Sequence, residues 1–317
     1  MAIKTVGVIG TGVIGSSWTG LFLAHGLRVL VSDPAPDAEK KLAEYLDGIW
    51  PTMQAIGLTP GASLSNYTFV GPSMDAHYAE VDFIQENAPE KPELKAKVIG
   101  EIDAGTRPDV VIASSSSGIP SSRFISQCTK KPGRVLIGHP FNPPHMMPLV
   151  EVVPHPKTDE TSIEKAMTFY RSIGRKPIHI RKEVPGFAAN RLQAALCQEA
   201  YSLVRRGILS AQDLDDCMTN SLGPRWAVMG PLMANAMGGG GGAEGFKHLL
   251  EHIGPGAQVW LKDMQEHDFQ WDEAGINAVS VSVAEELKGK SVEALERQRD
   301  KQLVELLGIT NPKATDG

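Results

Sequence analysis

The chain has 317 residues, roughly twice a typical domain, and 42% of them are hydrophobic, so it can bury two sizeable cores. Its formal net charge of −6 supplies no cationic field for nucleic acid or for an anionic membrane surface, and neither is expected as a partner. Three widely spaced cysteines, Cys128, Cys197 and Cys217, form no CxxC pair and point to a reduced compartment, packed thiols and no metal site. No leader segment and no apolar run of membrane-spanning length is apparent, which makes the cytoplasm the expected location.

The first element is the β-rich run Thr5-Val6-Gly7-Val8-Ile9, suited to a strand buried on both faces. Gly10-Thr11-Gly12-Val13-Ile14-Gly15 follows, then a helix ending near Gly26, then the strand Arg28 to Ser32, then Asp33. This is the pattern of a dinucleotide-binding βαβ unit. Gly10 makes the tight turn, Gly12 lets backbone approach a pyrophosphate, and Gly15 lets the helix pack on the sheet, with Val13 and Ile14 at the helix start. A carboxylate at Asp33 binds ribose hydroxyls and repels a 2′-phosphate, so the cofactor expected is NAD rather than NADP.

Alternating strands and helices continue to about residue 187. The strand candidates are Thr68 to Val70, Phe83 to Gln85, Val110 to Ala113, Val135 to Gly138, Leu149 to Val153 and Lys176 to Ile180. The fold expected is α/β: an N-terminal Rossmann domain, a doubly wound and mostly parallel sheet over residues 1–187, and an all-helical C-terminal domain over 188–317. The join is Val184-Pro185-Gly186-Phe187. Helices are expected from Leu192 through Val204, over Ala211 to Ser221, Gly245 to His252 and Val292 to Leu307. The five glycines Gly238 to Gly242 read as a loop, either a substrate lid or a plain connection, and the tail after Ile309 as disordered.

An alcohol dehydrogenase needs a base where the strand ends meet the nicotinamide. His139 follows the strand ending at Gly138 and opens the turn His139-Pro140-Phe141-Asn142-Pro143-Pro144; an imidazole can take and return a proton near neutrality. Glu151, an acid within the apolar strand Leu149 to Val153, is costly unless paired, and it is the candidate that orients and charges the histidine.

With these residues in view, the chain resembles the 3-hydroxyacyl-CoA dehydrogenase family. The likeness rests on the glycine turn, Ser114-Ser115-Ser116-Ser117, His139-Pro140-Phe141-Asn142-Pro143, Pro148-Leu149-Val150-Glu151-Val152, and Pro185-Gly186-Phe187-Ala188-Ala189-Asn190-Arg191. The resemblance implies that His139 is the general base, that Glu151 orients it, and that Ser117 and Asn190 hydrogen-bond around the substrate oxygen. It also implies that Glu86, Lys91 and Asn142 approach the cofactor and that two copies pair through the helical domain. At the serine cluster the family commonly has Ser-Asn-Thr-Ser-Ser, so the register of Ser117 is open by one residue. Leu222-Gly223-Pro224-Arg225-Trp226-Ala227 departs from the acyl-CoA members and resembles the L-gulonate 3-dehydrogenase (lambda-crystallin) branch and carnitine dehydrogenases. Arg225 could clamp a substrate carboxylate, which implies a small 3-hydroxy acid, L-gulonate-like, with carnitine or a 3-hydroxyacyl-CoA as alternatives. A catalytically idle NAD-binding protein is the reading from a different class, opposed by the intact His139, Glu151 and Asn190.

Overall fold

The computed structural model describes residues 3–240 and 242–310, and divides between Arg191 and Leu192 into two compact units. The first begins β1 (Thr5–Ile9), α1 (Val13–Ala24), β2 (Arg28–Ser32), α2 (Ala38–Ile56) and β3 (Tyr67–Phe69). It continues through β4 (Phe83–Glu86), α3 (Pro92–Gly105), β5 (Val111–Ser114), β6 (Val135–Pro140), β7 (Leu149–Pro154), α4 (Glu160–Ser172) and β8 (Lys176–His179). All eight strands join one sheet in the order β3-β2-β1-β4-β5-β6-β7-β8. Every neighbouring pair is parallel except β6 and β7. This is the doubly wound, mostly parallel sheet expected from the alternating pattern.

Side chains of a strand alternate between faces, and both faces here are covered. Val111 and Ala113 enter an apolar layer with Trp18, Phe22, Phe169 and Tyr170 from α1 and α4. Ile112 enters the opposite layer with Ile99 and Ile102 from α3, Phe124 and Phe187. The strand order reverses between β1 and β4, so the crevice at the C-terminal ends of those strands is the place where a doubly wound sheet takes its ligand.

Among its described residues the second unit has helices joined by turns and no strand. A long helix, α5 (Ala189–Arg205), begins in the first unit and runs into the second. It is followed by α6 (Ala211–Cys217), one π-type turn over Met218–Leu222, α7 (Gly223–Val228), α8 (Pro231–Gly238), α9 (Gly242–Glu266), α10 (Glu273–Leu287) and α11 (Val292–Thr310). The single helix expected over Ala211 to Ser221 is therefore broken by the wider turn, and the one expected at Gly245 to His252 extends to Glu266. Of the five glycines, Gly238 closes α8 and Gly242 opens α9, Gly239 and Gly240 lie in the turn between them, and a Cβ on Gly239 would strike the Gly245 carbonyl. Gly241 and the tail from residue 311 lie outside the described residues. Cys128 is buried as expected, but Cys217 is exposed; the three thiols are free.

Candidate active site

The glycine turn has the geometry a dinucleotide requires. Gly10 has φ +90°, its N–H donates to Ser32 O at 2.8 Å, and a Cβ there would meet the Asn87 carbonyl oxygen at 2.8 Å. A Cβ on Gly15 would run into the Gly10 carbonyl oxygen, so this glycine seats α1 against the turn. Around Gly12 the same test finds open space within 4 Å, which is room for a ligand to approach the backbone. Gly12 caps α1 with no side-chain bond, so the first-turn N–H groups remain available to an anion, beside exposed Val13 and half-buried Ile14. Asp33 stands at the end of β2 with its carboxylate held: Oδ2 accepts from Thr11 N at 2.6 Å and Thr11 Oγ1 at 2.8 Å, and Oδ1 accepts from Ala35 N at 2.8 Å. The anion is aimed, half-buried and beside the turn, as a ribose-binding acid should be. These features fit NAD.

Under the turn lies a buried polar network that sequence reasoning missed. Gln85, fully buried on β4, donates to Ser115 Oγ at 2.8 Å and Gly138 O at 3.2 Å, and accepts from Tyr170 OH at 2.7 Å. Ser115 Oγ also accepts from Trp18 Nε1 at 3.1 Å and donates to Asn87 Oδ1 at 2.7 Å. The signal was present in a glutamine within an apolar strand, the same anomaly that singled out Glu151.

His139 lies in β6 itself, directly across the antiparallel ladder from Glu151, and not in a turn beyond the strand. Strand register thus makes the pair, with Nδ1 and Glu151 Oε2 2.9 Å apart. Both are buried, at 5% and 0% exposure, and Phe141 and Phe187 flank the imidazole with ring centroids 5.5 and 5.7 Å away. Glu151 Oε1 accepts from the backbone N–H of Ala188 at 2.9 Å and Ala189 at 3.1 Å. Burial raises the Glu151 pKa, but the bonds from His139 and the two N–H groups outweigh it and hold the carboxyl below its ordinary 4.5.

The next residue links this dyad to the serine loop. Asn190 Nδ2 donates to Ser117 O at 2.5 Å. Ser117 donates from N at 2.6 Å and from Oγ at 3.0 Å to Glu90 Oε1, which also accepts from Ser116 Oγ at 2.9 Å and Gly118 N at 3.3 Å. The Glu90 carboxyl is pushed up by burial but pulled further down by the Lys95 charge and the serine donors. Glu86, four residues earlier, meets the serine run at Ser114 and Ser115 rather than at Ser117. It is fully buried, bonded to Lys95 Nζ at 3.1 Å, Ala88 N and Ser114 Oγ at 2.5 Å. Lys91 is exposed where it caps α3, and Asn142 is exposed just beyond β6. The acid and lysine gathered beside Ser117 are Glu90 and Lys95, their charges 3.5 Å apart.

In the helical unit, Arg225 and Trp226 are neighbours on α7 and both exposed. Among the described residues no cluster of three or more histidine, cysteine or acidic side chains could hold a metal, and no helix is long and apolar enough to cross a membrane.

Residues 5–184 match the sequence model of the 3-hydroxyacyl-CoA dehydrogenase NAD-binding domain, and residues 186–276 that of its C-terminal domain. A 3-hydroxyacyl-CoA dehydrogenase of Gibberella moniliformis is 48% identical over 99% of this chain and 97% of its own. An L-carnitine dehydrogenase of Pseudomonas aeruginosa is 41% identical over 99% of this chain and 97% of its own. Among solved structures, the NAD+-dependent dismutase 5-formyl-3-hydroxy-2-methylpyridine 4-carboxylic acid 5-dehydrogenase superposes with a TM-score of 0.77 at 27% identity, covering 98% of this chain and 99% of its own. Two domain matches spanning most of the chain, full-length relatives well above the level of chance likeness, and the nucleotide-binding turn on the sheet together show that this chain belongs to the 3-hydroxyacyl-CoA dehydrogenase family and is an NAD-dependent dehydrogenase.

Proposed function

We propose that the chain oxidises the 3-hydroxyl of a small free acid to the ketone, with His139 as general base. The observation that carries this reading is the segment Ala188–Asn190: two of its N–H groups hold Glu151, which orients His139, while Asn190 binds the serine loop. One stretch of backbone thereby ties the base to the hydrogen-bonding groups proposed for the substrate oxygen. With Nδ1 turned to Glu151, Nε2 is the nitrogen that takes the hydroxyl proton, and the ionised Glu151 favours the imidazolium that results. Ser117 and Asn190 orient the oxygen; Gly10, Gly12, Val13, Ile14, Gly15 and Asp33 hold the dinucleotide, with Glu86, Lys91 and Asn142 toward its nicotinamide end, as the family resemblance implies. NAD, when bound, supplies the carbon that accepts the hydride.

For the substrate, the relatives and Arg225 favour a free carboxylate. Seven relatives, 38–41% identical over at least 96% of this chain, are named L-carnitine dehydrogenase, and the dismutase above is named for a carboxylic acid. An exposed guanidinium beside an exposed indole offers a carboxylate clamp and a face for a quaternary ammonium. Carnitine therefore moves ahead of L-gulonate within the same class. The relative of highest identity above is named for a CoA ester, which makes a 3-hydroxyacyl-CoA the second reading. NAD reduction with carnitine, L-gulonate and 3-hydroxybutyryl-CoA, repeated on Arg225→Met, tests the choice. Loss of a charge-assisted contact should cost the free acid about ten- to a hundredfold in kcat/KM and spare the CoA ester. Activity with the ester alone would overturn the free-acid reading.

We assign the nicotinamide domain to residues 1–187 and the helical domain to 188–317, in a cytoplasmic homodimer paired through the helical domain. What supports the pairing is the apolar surface of that unit, where Val228, Leu232, Val259, Trp260 and Val281 are all at least 65% exposed in the single chain.

A further inference from the structure

The connection between β6 and β7, residues 141–148, starts with Phe141, whose ring lies edge-on to His139, and with Asn142. Two buried groups outside the site grip this connection. Ser17, inside α1, accepts from the backbone N–H of His145 at 2.9 Å and shares a 2.7 Å hydrogen bond with His145 Nδ1; the serine is 0% exposed and the histidine 4%. Arg175, just before β8, donates from Nη1 to Pro144 O at 3.0 Å and to Met147 O at 3.2 Å, and from Nε to Ile173 O at 3.3 Å. It is 8% exposed, and burial pushes its pKa down to about 10.

A guanidinium held in a desolvated place by backbone carbonyls is an expensive way to stabilise a fold, and a packed apolar side chain of similar volume would serve as well or better. What it adds is direction. One nitrogen fixes two carbonyls of the same connection, three residues apart, while Ser17 pins the residue between them to the helix that carries the glycine turn. We propose that Ser17 and Arg175 are positioning residues, which together preset the 141–148 connection and through Phe141 and Asn142 hold the proposed base in line with the nucleotide turn. This rests on the reading of His139 as the base. It needs no contact between either residue and a reactant.

The test compares Ser17→Ala, Arg175→Met and Arg175→Lys with His139→Gln, reading single-turnover hydride transfer, NAD affinity and thermal midpoint. Misplacement of a reacting group by about an ångström costs up to about a hundredfold. The expected result is a loss of roughly ten- to a hundredfold in hydride transfer for Ser17→Ala and Arg175→Met, with a much smaller change in NAD affinity, since Gly10, Gly12 and Asp33 are untouched and only Asn142 of the nucleotide contacts lies on the connection. Arg175→Lys should recover part of the rate, since one ammonium reaches one carbonyl. A lowered midpoint with wild-type hydride transfer in Ser17→Ala and Arg175→Met, while His139→Gln is inactive, would overturn the positioning role and leave the base intact. Turnover retained in His139→Gln would instead remove the reading on which the inference stands. If Arg175→Met does not fold, Ser17→Ala and Arg175→Lys decide the matter on the same readouts.

Discussion

Glu151→Gln replaces one atom and leaves the size of the side chain unchanged, yet the geometry gives it a large effect. Glu151 serves three donors: the His139 ring on one oxygen and the Ala188 and Ala189 N–H groups on the other. A glutamine can satisfy the two N–H groups only by placing its carbonyl there, which turns its NH2 toward His139 Nδ1. The opposite flip would leave two buried N–H groups facing a donor, at about 1–3 kcal/mol each, so the first arrangement wins. His139 must then accept at Nδ1 and carry its proton on Nε2, the nitrogen needed as base. Loss of general-base function costs about a hundredfold to ten-thousandfold, or roughly 2.7–5.4 kcal/mol of barrier. Single-turnover NADH formation at saturating hydroxy acid reads this directly, with NAD binding measured alongside as the control. The variant also has a pH signature. The folded carboxyl lies below its ordinary 4.5, so the ionised form stabilises the fold fully above that pH, and this contribution is lost as pH falls through the folded value. Glu151→Gln should therefore be less stable near neutrality and show a flatter acid limb in denaturation curves. A near wild-type hydride-transfer rate would refute the orienting role.

Asp33→Ser should weaken NAD and narrow its advantage over NADP, because the carboxylate aimed by Thr11 is the group that binds ribose hydroxyls and repels a phosphate; unchanged affinity for both, measured by equilibrium binding, would remove Asp33 from the site. Gly138→Ala should lower stability by about 1–3 kcal/mol in denaturant unfolding, because the added methyl would strike the Tyr170 hydroxyl that bonds Gln85, and the buried tyrosine has nowhere to retreat. A melting curve equal to that of the wild type would contradict this close packing.

Much of the first unit was legible because its signals are local. The glycine turn, Asp33 and the apolar strands each declare themselves within a few residues, and β-branched runs such as Val135-Leu136-Ile137 placed the sheet to within a residue or two. What failed depended on pairing. His139 read as a turn residue because Pro140 follows it, yet as β6 and β7 run antiparallel the last ladder pairs, Pro140 with Val150 included, extend the strand past the histidine. Glu86, at the end of β4, and Glu90, beyond it, both meet the serine run, the first at Ser114 in the core and the second at Ser117, a division set by tertiary contact that spacing alone does not show. In the second unit four helices were legible in kind but not all in length, while α7, α8 and α10 were not read; the π-type turn at Met218–Leu222 and the continuation of α9 past Pro255 run against local propensity, which tertiary context overrides.

The central claim is that His139, charged and oriented by Glu151, takes the substrate proton. Its most direct test is the single-turnover rate of hydride transfer in His139→Gln with NAD bound and the hydroxy acid saturating. The account predicts undiminished NAD affinity, since the glycine turn and Asp33 are untouched, with hydride transfer slowed by about a hundredfold to ten-thousandfold. Hydride transfer at the wild-type rate in that variant would contradict it.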